Sequence, residues 1–408
     1  MANPSLQIGN SNWAIKEDNL LGYSTAGTRF VPQPITMTRE SAGTRVNSSG
    51  LVETVELLGG ANNLARVDYD GTASSLLVEP MRTNLIPYSE DFSNAAWQKS
   101  DITATPNSIT SPDGTLNAYK LTKPTSSTPR LFELSVYPST GVHTFTAFYK
   151  NLDGDSMLIR LDAGGNTANC TVDLTTNTLV NSGANIISSN ITQLSDDWIR
   201  VSVTANILST SWVLDAVNLF SISVGSSVYI WGAQLEVGSY GTSYIPTDGG
   251  TVTRVQDQYS KTGISNLINS EEGVLFVEMA ALADDLSFRY ISLSDGTSSD
   301  AIKLYYTISS NSITLQVRRS GSLEVLSTFA VSDITDFNKI AVKWKVNDFA
   351  MWIGGVEVAT DTSGSVPIGM NRLAFDDGSG VGELYGKVKQ LQVYKTALTD
   401  DTLALLTS

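Results

Sequence analysis

Ile340, Val342, Trp344 and Val346 fall on one face of KIAVKWKV, with Lys343 and Lys345 on the other, and this period of two recurs along most of the chain. Successive side chains of a strand point to opposite faces, so such alternation predicts antiparallel strands with one buried and one wet face. SITLQVRRS repeats it, with Ile313, Leu315 and Val317 set against Thr314, Gln316 and Arg318. Met157, Ile159 and Leu161 do the same in SMLIRLD, and Ile199, Val201 and Val203 in WIRVSVTA, while SVYIWGAQLEV is a further strand candidate. Gly354-Gly355 in AMWIGGVEVAT suits a two-residue hairpin turn that requires positive φ. In YGKVKQLQVYK, Val388 and Leu391 have opposite parity, which predicts a bulge or a strand buried on both faces. Many short strands separated by turn residues define a mostly β fold of antiparallel sandwiches. Helical signals are confined to NWAIKEDNLL, with Trp13, Glu17, Leu20 and Leu21 at helical spacings, and to TDDTLALL, where Thr399 is placed to cap and Asp400 and Asp401 suit the positive end.

The length of 408 residues exceeds one ordinary core, at roughly 100 to 200 residues per domain. A Gly- and Pro-rich break, GTSYIPTDGG, separates two β-rich blocks, and the expected map is an N-terminal region 1–85, a sandwich 86–248 and a second sandwich 249–408. NLIPYSEDFSNAAW, which has neither period, matches WGAQLEVGSYGTSYIPT in character; the pair is expected to lie side by side as the first and last strands of the central sandwich. Only 16% of residues are charged, against a usual share of about 25%, so Ser, Thr, Asn and Gly must cover the surface. The net charge of −15 lacks a basic stripe and argues against nucleic acid and anionic membranes as partners. No stretch approaches the roughly 20 apolar residues of a membrane span, and MANPSLQIGNSNW lacks the features of an export signal. A single cysteine, Cys170, and a single histidine, His143, leave little scope for disulfides or histidine-based sites. The combination is that of an outward-facing protein made inside a cell, as a virion component would be.

The segments TRESAGTRVNSSG, LARVDYD, LLVEPMRTNLIPYSEDFSNAAWQKS, SPDGTLNAYKL, WGAQLEVGSYGTSYIPT and TVTRVQD, in this order from Thr38 to Asp257, resemble a family of phage head-spike, head-fibre and tail-fibre proteins. GVLFVEMA, NKIAVKWKVNDFAMWIGGVEVAT and YGKVKQLQVYKTALTDDTL resemble a laminin G or concanavalin-like lectin sandwich. The resemblance implies a virion appendage: an N-terminal piece that docks on other virion proteins or trimerises, a jelly roll like those of carbohydrate-binding modules, and a lectin-like tip. It further implies a homotrimer on the virion surface that contacts a host-surface glycan or receptor.

Sugar sites use aromatic planes beside amides and carboxylates. Among the tryptophans, Trp344 shares the parity of Ile340 and Val342 and belongs to a core, whereas Trp212 and Trp352 sit beside turns with neighbours out of phase. Tyr305 and Tyr306 are adjacent on a strand and must face opposite ways, which puts one of them near solvent. Oxygen ligands make calcium the plausible metal, and Glu90, Asp91 and Glu236 are the expected set at the paired ends of the central sandwich, set against the plainer reading of solvated turn carboxylates. No Glu is followed two residues later by Asp, so the Glu-x-Asp-x-x-Glu pattern of concanavalin-like hydrolases is missing. The leading expectation is a non-enzymatic glycan-binding fibre or spike; a structural capsid decoration protein and a polysaccharide depolymerase are the alternatives.

Overall fold

The computed structural model describes residues 3–408 apart from 11–12, 17–18, 27–28, 56, 59–61, 64, 126, 135–138, 155, 164–165, 212 and 220–221. Among the described residues nearly every element is a strand, and the one helix, Asp400–Thr407, lies where TDDTLALL predicts it. The chain divides into two units, one of Met1–Ala42, Val55–Pro80 and Val255–Ser408, the other of Gly43–Thr54 and Met81–Arg254.

The first unit is a sandwich. One sheet runs Val356–Asp361, Phe349–Ile353, Asn338–Lys345, Glu272–Ala281, Gly386–Tyr394, Ala73–Val78 and Val67–Asp70, all antiparallel. The other runs Arg29–Thr38, Gln258–Lys261, Arg372–Ala374, Arg289–Ser294, Ala301–Tyr306, Ser312–Arg319 and Ser322–Ala330. Strands Leu6–Gly9 and Asn19–Ala26 carry the pairing from one sheet to the other. Ile340, Val342 and Trp344 meet Ile291, Leu293, Ile302 and Leu304 in the core between them, as the alternation predicts. Gly354 and Gly355 turn the hairpin at φ +59 and +83. In Gly386–Tyr394 the register with Glu272–Ala281 skips one residue between Gln390 and Val388, and this bulge lets both Val388 and Leu391 reach the core.

This pairing corrects the expected map. Residues 1–85 do not form a region of their own: Leu6–Gly9 and Ala73–Val78 share one edge of the strand Gly386–Tyr394, the last of the chain. The helix expected at NWAIKEDNLL is a hairpin, with Ile15 opposite Leu20 and Lys16 opposite Asn19. An available sheet edge and a core position for Leu20 outweigh the helical spacing, because burial against the sheet is worth more than local propensity.

The second unit is also a sandwich, of two six-stranded antiparallel sheets. The strands Gly141–Asn151, Ser156–Ala163, Ile199–Ile207 and Ser227–Val237 place Phe145, Met157, Ile159, Val201 and Leu235 in one core with Phe92 and Trp97. Segment Gly43–Thr54 packs on the outside, where Val52 joins Phe148, Trp198, Trp231 and Tyr244. The stretch Asn84–Trp97 does run beside the end of this unit, but as irregular chain, not as a strand. Leu85 N donates to Leu235 O (2.8 Å), Ala233 N to Ser89 O (2.9 Å), and Tyr88 bridges Asp248. A short true ladder lies just outside it, Arg82–Asn84 against Val252–Arg254. The Asn84 side chain, fully buried, supplies what the ladder would: Nδ2 donates to Ile245 O and Oδ1 accepts from Ile86 N and Leu235 N.

Buried charges are concentrated in both units. In the first, Arg39 donates to Asp257 at 2.8 Å, Arg66 donates to Asp257 and to Glu79 at 2.6 Å, and all four side chains are at most 3% exposed. Removing one member leaves an uncompensated buried charge. Asp257→Ala is expected to cost about 3–5 kcal/mol, read by urea denaturation; a loss below about 1 kcal/mol would show that the cluster is dispensable. In the second unit Glu133 is 2% exposed, its Oε1 has no partner among the described residues, and burial pushes its carboxyl up to about 8. The folded value lies above the ordinary 4.5, so between the two the folded chain keeps a proton that the unfolded chain has released. Stability from this group is therefore full below about 4.5 and declines as pH rises to about 8, by on the order of 4 kcal/mol. Glu133→Gln is expected to raise the melting temperature at pH 8 and to lose that advantage as pH is lowered towards 4.5; a gain independent of pH would refute the assignment.

Candidate functional site

The sheet Ser312–Arg319, Ala301–Tyr306 and Arg289–Ser294 buries one face and turns Tyr290, Ser292, Lys303, Tyr305, Thr314, Gln316 and Arg318 to the other. Register places Tyr290 beside Tyr305, with ring centroids 4.5 Å apart. Phe288, 42% exposed, stacks on Tyr290 at 6.0 Å and 22°, and lies 6.0 Å from Tyr305. These rings form a stepped terrace with Phe288 outermost, Tyr290 half-buried and Tyr305 at its floor. Arg289 stacks over Tyr385 at 4.7 Å and is fixed by Asp285 at 3.0 Å.

The loop after Arg372–Ala374 closes one side of the terrace. Arg372 grips Asp376 with both amino groups (2.9 and 2.6 Å) and donates to Gly378 O. At Gly382, φ is +67 and an added Cβ would stand 2.7 Å from the Tyr290 ring, so only glycine lets the loop pass so close. Its carbonyl accepts from Tyr290 N at 3.0 Å. Lys303 is 4% exposed beneath this loop; burial lowers its pKa, and Asp377, 3.7 Å away, opposes that shift.

Of the expected aromatic residues, only Tyr305 belongs to the terrace, and it is not near solvent: it is 6% exposed because Tyr290 and Phe288 cover it. Tyr306 is 1% exposed in the core. Trp352, 7% exposed, is no platform either, since Leu398 and Leu403 of the C-terminal segment roof it together with Phe276 and Tyr394. Trp212 lies outside the described residues. Phe288 and Tyr290 were missed, although RYISLS carries the signal: Tyr290 has the parity of Ser292 and Ser294, an aromatic ring on a polar face.

The expected calcium set does not assemble. Glu90 and Asp91 line a cleft of about 420 Å³ in the second unit with Asn107, Asn117, Tyr119, Pro246, Thr247 and Asp248, and Glu236 is not among its walls. Glu236 is fully buried and accepts from Thr242 N (2.8 Å) and Thr242 Oγ1. Glu90 accepts from Tyr244 Oη at 2.9 Å and from Asn117 Nδ2 at 3.3 Å; burial first, then Asp113 and Asp248, pushes its carboxyl up. Asp91 accepts from Ser93 and from Tyr119 Oη at 2.9 Å, and these bonds, Ser93 foremost, hold it down. Each carboxylate is thus used to pin its own loop, and among the described residues no group of three or more acidic, His or Cys side chains could hold a metal ion. Beside Asp91 the Lys99 ammonium fills the cation role, donating to the carbonyls of Phe92 (3.0 Å), Ser93 (3.2 Å), Asn94 (3.2 Å) and Trp97 (2.8 Å).

The described residues define an all-β chain of two antiparallel sandwiches. No known family profile matches the chain, and no curated protein matches it. Among solved structures it is similar to the CBM40 of Ruminococcus gnavus IT-sialidase bound to α2,3 sialyllactose, at 18% identity and a TM-score of 0.31, over 35% of this chain and 86% of that one. It is also similar to domains LG4-5 of the mouse laminin α1 chain (11%, TM-score 0.24, 63% and 83%) and to the CBM22-1-CBM22-2 tandem of Paenibacillus barcinonensis Xyn10C (8%, 0.27, 77% and 98%). At these TM-scores no ligand or activity is carried over to this chain.

Lys99→Met removes the cation from the carbonyl cage while keeping the side chain's length. It is expected to loosen the loop by about 1–3 kcal/mol, read as faster amide hydrogen exchange across residues 92–99, with the core of the same unit unchanged. Unaltered exchange in that loop would show that the cage does not depend on the ammonium.

Proposed function

We propose that the chain is a non-enzymatic glycan-binding protein of a phage virion, a fibre or spike that attaches to sugars on a host surface through the aromatic terrace of its first unit. The observation that carries the glycan reading is the stepped set Phe288, Tyr290 and Tyr305, open at Phe288, with Gln316 and Arg318 on the same face of the sheet. Aromatic faces accept the C–H side of a sugar ring, and fixed polar groups at the rim bond its hydroxyls. Support for the virion setting is the resemblance of the segments from Thr38 to Asp257, which supply all four members of the buried ion cluster. Homotrimeric assembly and contact with other virion proteins belong to the same reading. Single sites of this kind bind weakly, and repetition on a trimer and across a virion raises avidity by roughly 10² to 10⁴.

Phe288→Ala is the informative variant, because this ring is the most exposed of the three. Binding of the purified protein to host cells is expected to fall at least about tenfold, the loss of roughly 1.4 kcal/mol, with an unchanged melting temperature. Full binding by both Phe288→Ala and Tyr290→Ala would remove the terrace from the attachment function.

A further inference from the structure

We infer that the terrace selects a carboxylated, negatively charged sugar, whose acid group is taken by Arg318; this rests on the glycan reading above. The cations around the terrace are not equally available. Arg289 is neutralised by Asp285, Arg372 by Asp376, and Lys303 is sealed beneath the loop with Asp377. Arg318 is different. It is half-buried, Nε donates to Gln316 Oε1 at 3.3 Å and Nη1 to Gly321 O at 2.9 Å, and among the described residues no carboxylate pairs with it and Nη2 has no partner.

Its position completes the site. Arg318 pairs in register with Ala301, and Thr314 with Tyr305, so Arg318 stands four residues along the same face from the aromatic row. The backbone spacing is roughly 13 Å at about 3.3 Å per residue, and the guanidinium itself is near enough for its charge to act on Tyr290 and Tyr305. Gln316, whose amide nitrogen is free to donate, lies between them on the same face. A sugar that stacks on Phe288 and Tyr290 therefore has Gln316 and a guanidinium on the same face. A fixed guanidinium accepts a carboxylate with two parallel hydrogen bonds, which an ammonium or an amide cannot match. The chain carries a net charge of −15, so a half-buried cation with no carboxylate partner among the described residues is set against the trend of the whole molecule. An acidic sugar is the ligand whose charge complements this face; a neutral one would leave the Arg318 charge uncompensated.

The test is a glycan array in which each carboxylated oligosaccharide is printed beside its carboxyl-reduced form, probed with the intact protein, Phe288→Ala, Arg318→Gln and Arg318→Lys. The expected result is that the intact protein binds carboxylated members and loses them on reduction. Arg318→Gln should weaken binding at least about tenfold and Arg318→Lys by less, and binding should fall as salt is raised. Equal binding of both members of each pair, lost in Phe288→Ala but unchanged in Arg318→Gln, would overturn the charge selection and leave the glycan reading standing. Binding of no glycan by the intact protein would sink both. Should Arg318→Gln lower the melting temperature, the pairwise comparison on the intact protein and on Arg318→Lys decides the matter.

Discussion

The first unit is built around a charge problem that it solves internally. Arg39, Arg66, Glu79 and Asp257 come from all three chain segments of this unit, and Arg39, Glu79 and Asp257 sit within a few residues of a point where the chain leaves or re-enters it. Two positive and two negative groups out of reach of water are tolerable only if all are present in one arrangement, since each alone would be costly to bury. Backbone groups are drawn into the same arrangement: Glu79 N donates to Asp257, and Arg39 donates to Ser41 O and Val55 O. The cluster fixes which segments of a twice-interrupted unit must meet, a constraint that non-directional apolar burial cannot impose.

Much of the fold was legible in alternation. Asn338–Lys345, Ser312–Arg319, Ile199–Ile207 and the Gly354-Gly355 hairpin lie where the period of two places them, each with one face in the main core of its unit, although the other face of Asn338–Lys345 and Phe349–Ile353 is covered by the C-terminal segment. The bulge at Val388 and Leu391 was legible for the same reason, as a break in parity. What alternation cannot show is which strands meet across long separations. Leu6–Gly9 pairs with residues nearly the length of the chain away, and nothing local in LQIG records its partner. The hairpin at Ile15–Lys16 escaped for a related reason: a short amphipathic run fits both periods, and the neighbouring strand edge decided between them.

The site was less legible than the fold. Tyr305 was picked out by its position on a strand, but exposure is a property of what lies above a side chain, and Phe288 and Tyr290 come from a different strand and the loop before it. Trp352 failed for the same reason, since the helix that roofs it is separated from it in sequence. Glu90, Asp91 and Glu236 each already accept from protein donors, Glu90 from Tyr244, Asp91 from Tyr119 and Ser93, and Glu236 from Thr242. Carboxylates that already serve as local acceptors have little left to offer a metal ion.

The carbonyl cage around Lys99 has a consequence for where such a protein can work. A cation supplied by a side chain is covalently tethered, so its occupancy owes nothing to the mineral content of the surroundings, and chelators have nothing to extract. The loop needs no calcium to close, in the calcium-poor interior of a cell as in the open. Only chemistry on the amine itself, such as acylation, would empty that seat.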